Sequence, residues 1–169
     1  MNKIKQGLEN REAQINKIKL DELDSAILEE LRGNCKKTWR ELAKKLKVSP
    51  VTIINRTRKL EKNKVVTGYS ALVDFVKIGF EFSAFQTLEI ESSKFYEVME
   101  KLVKMPETEA VYGVSGDFDA IVFFRARDRR EFAQTVQKIY RIPGVKGSKT
   151  FFAYGLKENG APYPEHEWF

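Results

Sequence analysis

The chain has 169 residues, 42% of them hydrophobic, and carries 30 Lys/Arg against 24 Asp/Glu for a net charge of +6. That length holds one large domain or two small ones with packed cores. Its longest apolar run, Ala120-Ile121-Val122-Phe123-Phe124, falls far short of the roughly 20 residues a bilayer span needs, and Met1–Leu20 is too polar for a signal peptide, so no membrane partner is expected. The lone Cys35 excludes an intrachain disulfide and fits a reducing cytoplasm.

Residues 1–19 read as a polar helical arm with Ile4, Leu8, Ile15 and Ile18 on a loose seam broken by Arg11. A DNA-binding domain is predicted over 20–66, opening with a helix at about 21–33. Leu20, Leu23, Asp24, Ile27, Leu28 and Leu31 recur there at helical spacing, and Gly33-Asn34 stops it. Thr38 and Glu41 form a capping box for a second helix that turns Leu42, Ala43 and Leu46 inward. Ser49 caps a third, with Pro50 at the first helical position, where a missing N–H costs nothing.

Ile53, Thr57 and Leu60 give the third helix an inward stripe, which leaves Val51, Thr52, Asn55, Arg58 and Lys59 outward and Ile54 outward or sideways. Two helices joined by Leu46-Lys47-Val48-Ser49 make a helix-turn-helix, whose second member enters the major groove of double-stranded DNA. Charge agrees: residues 36–64 hold eleven Lys/Arg against Glu41 and Glu61, so this stretch is +9 and the rest of the chain −3. The predicted DNA-binding residues are Arg40, Lys44, Lys45, Ser49, Val51, Thr52, Asn55, Arg56, Arg58 and Lys59. Thr52, Asn55 and Arg58 are assigned to base edges, and Arg40, Lys44, Lys45, Arg56 and Lys59 to phosphates. A three-helix bundle with a solvated basic surface is the plain structural alternative.

Val65–Asp74 alternates β-branched and aromatic residues, which predicts a strand serving as a wing and as the start of a 67–79 linker. From 80 to 155 the sequence is duplicated. A shift of 37 lays Phe95 on Phe132, Met99 on Val136, Leu102 on Ile139, and Met105-Pro106 on Ile142-Pro143. Each copy reads strand, helix, turn, strand, so the pair predicts a βαββαβ ferredoxin-like sheet with both helices on one face. Phe85, Tyr112, Phe123 or Phe124, Phe152 and Tyr154 are expected on the open face, where a two-fold partner covers them. The fold class is therefore α+β, a winged helix-turn-helix followed by a dimerisation domain.

These residues resemble the leucine-responsive/asparagine-operon (Lrp/AsnC) family of prokaryotic transcription regulators over about 20–155. Leu20–Leu28 looks like the family's opening motif, and Ser49–Ile53 with Arg56 and Leu60-Glu61 like its recognition helix. Gly68-Tyr69-Ser70-Ala71 resembles the strand leading out, and Gly116-Asp117-Phe118-Asp119 the turn between the two βαβ units. The resemblance implies a sequence-specific, nucleoid-associated regulator whose homodimers assemble to tetramers or octamers. It also implies an amino acid or other small effector bound at a subunit interface by Ser115, Gly116, Asp117, Phe118 and Asp119. Asp117 and Asp119 suit an α-ammonium group, and the amides of Ser115 and Gly116 a carboxylate; the same residues also make a good hairpin turn. Departures from the pattern are Asn63-Lys64 where the family has Gly, with Asn63 expected to take the left-handed cap, Thr57 at an apolar position, and the 156–169 tail.

Catalytic chemistry is sparse. The single His166 lies in a Pro-containing tail, no His/Cys cluster has metal-ligand spacing, and Gly113-Val114-Ser115-Gly116 lacks the lysine of a phosphate loop. No catalytic residue, metal or cofactor is expected. Two alternatives share the predicted shape. One is an architectural chromatin-like DNA-binding protein. The other is a sirohaem-decarboxylase-like enzyme, for which Arg125, Arg127, Arg129 and Arg130 are present but the expected histidines are not.

Overall fold

The computed structural model describes residues 18–153 and, beyond them, a short antiparallel pair, 157–158 with 161–162. The expectations for the 1–19 arm up to residue 17, for Tyr154 and for most of the tail lie outside the described residues. Two compact units divide between Val73 and Asp74.

The first unit is a three-helix bundle: α1 (Glu22–Gly33), α2 (Trp39–Leu46) and α3 (Pro50–Lys62). Each start is capped by a side chain. Asp21 and Asp24 make a reciprocal box on α1, Thr38 and Glu41 make another on α2, and Ser49 Oγ accepts the Thr52 amide at 3.1 Å on α3. Ile27, Leu31, Leu42, Ala43, Ile53 and Leu60 form the core, with Leu23, Leu28, Leu46, Val48, Val65 and Val66 packed against it.

That packing explains why the predicted wing strand over 65–74 is absent: no strand lies between α3 and the first strand of the second unit. The Lys64 amide donates to Glu61 O at 2.9 Å and the Val65 amide to Leu60 O at 2.9 Å, the paired bonds that close a helix with a left-handed residue. Val65 and Val66 are thus folded back on the bundle, their amides committed to Leu60. The left-handed residue is Lys64 (φ 55°), which corrects the expectation for Asn63 (φ −84°). Asn63 instead donates its side-chain amide to Lys59 O at 2.8 Å.

Thr57 is 1% exposed and its Oγ1 meets no partner among the described residues. An unbonded buried hydroxyl costs about 1–3 kcal/mol. Thr57→Val keeps the shape, so it is expected to stabilise this unit by about 1–2 kcal/mol with DNA affinity unchanged. Urea unfolding followed by Trp39 fluorescence in a Trp168→Phe background measures it; a lowered midpoint would refute the assignment.

The second unit is built from β1 (Phe82–Ile90), α4 (Phe95–Lys104), β2 (Thr108–Gly113), β3 (Ala120–Ala126), α5 (Arg129–Tyr140) and β4 (Val145–Phe152). The sheet is antiparallel throughout, in the order β2-β3-β1-β4. Both helices pack on one face over Ala84, Leu88, Ile90, Val122 and Phe124. The duplication survives in the backbone bonds: Thr108 N–H donates to Met105 O at 3.2 Å, and 37 residues on Val145 N–H donates to Ile142 O at 3.0 Å. Leu102 and Ile139, the paired inward positions, are both fully buried.

Candidate nucleic-acid interface and effector turn

The inward stripe of α3 is fully formed: Ile53, Thr57 and Leu60 are no more than 2% exposed. Val51, Asn55, Arg58 and Lys59 are consequently exposed, Val51 at 63%, while Thr52 and Ile54 are half-buried. Thr52 is also held locally, its hydroxyl 2.8 Å from Ser49 Oγ. Arg40 and Lys44 are exposed on α2. Lys47 closes α2 in the left-handed conformation (φ 55°), with the Val48 amide bonded to Ala43 O at 3.0 Å, and so makes the sharp turn that aims α3 away from α2.

Two predicted phosphate contacts already have acidic partners on the first helix and its cap. Arg56 Nη1 lies 2.5 Å from Asp21 Oδ2 and 3.2 Å from Asp24 Oδ1, tying α3 to the first turn of α1. Lys45 shares Glu30 with Lys37, at 2.5 and 2.6 Å. The Lys37 and Lys45 ammonium groups hold the Glu30 carboxyl below the usual carboxylate range. The backbone bond from Asp24, followed by the Arg56 guanidinium, lowers Asp21 likewise. Neither partner was legible in the sequence, because Arg56 and Asp24 are 32 positions apart and only the packed helices bring them together.

In the second unit, Ser115, Gly116 and Asp117 form an exposed bend between β2 and β3, with Gly116 at φ 131°. Asp119 is anchored: its Oδ2 accepts the Ile90 amide at 2.7 Å, its own amide donates to Leu88 O, and its carbonyl accepts the Val114 amide. Phe118 is half-buried with Lys149 Nζ 5.5 Å from its ring centre. Asp117 and the amides of Ser115 and Gly116 have no hydrogen-bond partner among the described residues.

The open sheet face carries a row of aromatic rings. Phe85 pairs across the ladder with Phe123 on one side and Phe151 on the other, and the Phe85 and Phe123 ring centres are 4.8 Å apart. Phe85, Phe151 and Tyr112 are 41%, 50% and 57% exposed. Of the pair Phe123 or Phe124 it is Phe123 that lies on this face, Phe124 belonging to the core. One expectation is corrected: Phe152 pairs with Ala84 on the helix side, where it stacks on Phe132 at 4.9 Å.

Residues 20–61 match the model of the AsnC-type helix-turn-helix domain and residues 83–160 that of the Lrp/AsnC ligand binding domain. HTH-type transcriptional regulator FL11 of Pyrococcus horikoshii is 33% identical over 134 residues, 79% of this chain and 89% of that protein. The chain belongs to the Lrp/AsnC family. HTH-type transcriptional regulator Ptr1 of Methanocaldococcus jannaschii is 31% identical over 146 residues, 86% of this chain and 99% of that relative. Escherichia coli AsnC superposes with a TM-score of 0.73 at 26% identity, covering 80% and 92% of the two chains. A Neisseria meningitidis regulator solved as a complex with L-Met shares the fold at a TM-score of 0.78 and 23% identity, over 86% and 97%. This Lrp/AsnC protein is therefore a DNA-binding transcriptional regulator and not an enzyme, with a C-terminal ligand-binding domain.

Proposed function

We propose that the protein acts as a homodimer, joined through the open faces of two sheets, that presents paired α3 helices to successive major grooves. The observation that carries this is the outward face of α3, fixed by the buried Ile53, Thr57 and Leu60. Asn55 and Arg58 read base edges, Val51 touches a thymine methyl, and Thr52, oriented by Ser49, sits at the groove edge. Lys59, Lys44 and Arg40 hold phosphates. Arg56 and Lys45 contribute mainly by orienting the helices, since acids within the bundle already neutralise them. Arg58→Ala is expected to cost about 1–3 kcal/mol on a selected operator and less on random DNA. Titrations of both duplexes at one salt concentration test it; equal losses would remove Arg58 from base reading.

The exposed bend before β3 binds a free amino acid at a junction between subunits. Asp117 receives the α-ammonium group, and the Ser115 and Gly116 amides receive the carboxylate. Asp119 positions the bend through Ile90 and does not need to touch the ligand. The L-Met complex of the Neisseria relative makes methionine the first candidate. Sedimentation with and without each amino acid should show a shift in assembly that Asp117→Ala abolishes; no shift with any of the twenty would refute the site.

A further inference from the structure

The N-terminal end of α5 carries three cations, two of which neither the fold nor the helix-turn-helix accounts for. Arg127, Arg129 and Arg130 are all exposed, clustered about Asp128, whose carboxylate caps α5 by accepting the Glu131 amide at 2.7 Å. Arg127 has local partners: its guanidinium is 3.7 Å from a Glu131 oxygen and 4.5 Å from the Phe80 ring centre. The guanidinium groups of Arg129 and Arg130 have no hydrogen bond or ion pair among the described residues. Both lie in the first helical turn, where the helix dipole is positive and a cation is unfavourable.

The internal duplication supplies a control for what the architecture itself requires. Shifted back by 37, Arg129 and Arg130 fall on Ser92 and Ser93, which lead into α4 through a short 3-10 turn. The same βαβ unit is therefore built with two small neutral residues at these positions. The arginines of the second copy add no contact within the unit and sit against the helix dipole, so an anion outside the unit is what their chemistry fits.

We propose that Arg129 and Arg130 form a second DNA contact that grips the phosphate backbone without reading sequence. A duplex presents one negative charge per roughly 1.7 Å, so several adjacent guanidinium groups can be neutralised at once, and each such pairing releases counterions. A regulator already held by α3 keeps flanking duplex at high effective concentration around its sheet unit. This inference rests on the protein's being a DNA-binding regulator and adds a site outside the helix-turn-helix.

The test uses the full chain and two long duplexes of equal length, one selected from a random pool and one random, titrated from low to moderate salt. R129A/R130A is expected to flatten the plot of log affinity against log salt by about 0.9 for each phosphate no longer neutralised, or about 2 per protomer. The flattening should be equal on both duplexes, whereas Arg58→Ala acts unequally. R129K/R130K should restore most of the slope. K101A/K104A removes the same charge from exposed positions on α4 and should change neither slope. An unchanged slope in R129A/R130A overturns the proposal, as does an equal flattening by K101A/K104A, which would make net charge the cause. Loss of inorganic phosphate binding with the DNA slope intact also overturns it, assigning the arginines to a free anion. Loss of preference for the selected duplex in Arg58→Ala with the R129A/R130A effect intact would support both sites independently.

Discussion

Gly144→Ala is expected to destabilise the sheet unit by about 2–4 kcal/mol, from backbone strain and overpacking together. Gly144 has φ 108°, a region that side chains disfavour, and a Cβ built there would lie 2.8 Å from Lys94 Cβ and 3.0 Å from Val98 Cγ2. The close approach has a purpose. Gly144 O accepts the Glu91 amide at 2.8 Å, which ties the start of β4 to the segment that leads into α4. Gly79 separates the two causes, since it also has a positive φ (92°) but open space around its missing Cβ. Gly79→Ala should therefore show the strain alone, about 1–2 kcal/mol. Urea unfolding by far-ultraviolet circular dichroism compares the two variants; equal destabilisation would mean that Lys94 and Val98 simply move aside.

The same residue shows how far the duplication can be trusted when read from sequence. The Met105-Pro106 and Ile142-Pro143 turns match at a spacing of 37, and so do their hydrogen bonds, but Glu107 in the first copy stands where Gly144 stands in the second. Glu107 pairs with Lys138, which needs a side chain, whereas Gly144 faces α4, which forbids one. The caps of α2 and α3 and the inward stripe of α3 were legible because each is a local device, complete within a few residues; the Asp21 cap of α1 was equally local but lay inside the predicted helix. What was not legible depends on partners far along the chain. Adjacent Phe151 and Phe152, like Phe123 and Phe124, carry no alternation, so only the register against β1 decides which ring faces out. The alternating Val65–Asp74 segment has strand composition, yet the Lys64 closure turns its first two valines onto the bundle core. Arg56 has the spacing of a groove-facing cation and the geometry of a brace, because Asp21 and Asp24 reach it first.

Phe85→Asp is expected to have the largest functional effect, converting the proposed dimer to a monomer and lowering operator affinity at least about 100-fold. Phe85 is the middle ring of the row Phe151, Phe85, Phe123 across three neighbouring strands of the open face. An aromatic side chain buries about 150–250 Å² in all, and the exposed 41% of Phe85 is what a partner covers, an area forfeited twice in a two-fold interface. The substitution also places a carboxylate in each copy of a surface that must dry on pairing, at a penalty of several kcal/mol per ion. The monomer itself should stay folded, because Phe85 is 41% exposed and points away from the core under the helices. Affinity falls so steeply because the second half-site is bound at the effective concentration set by the first; losing that linkage removes about 10²–10⁴ without touching α3. Sedimentation, circular dichroism and operator titration on one preparation separate the possibilities. A folded monomer with near-native affinity would show that one α3 suffices, and a persistent dimer would place the subunit contact elsewhere than on this face.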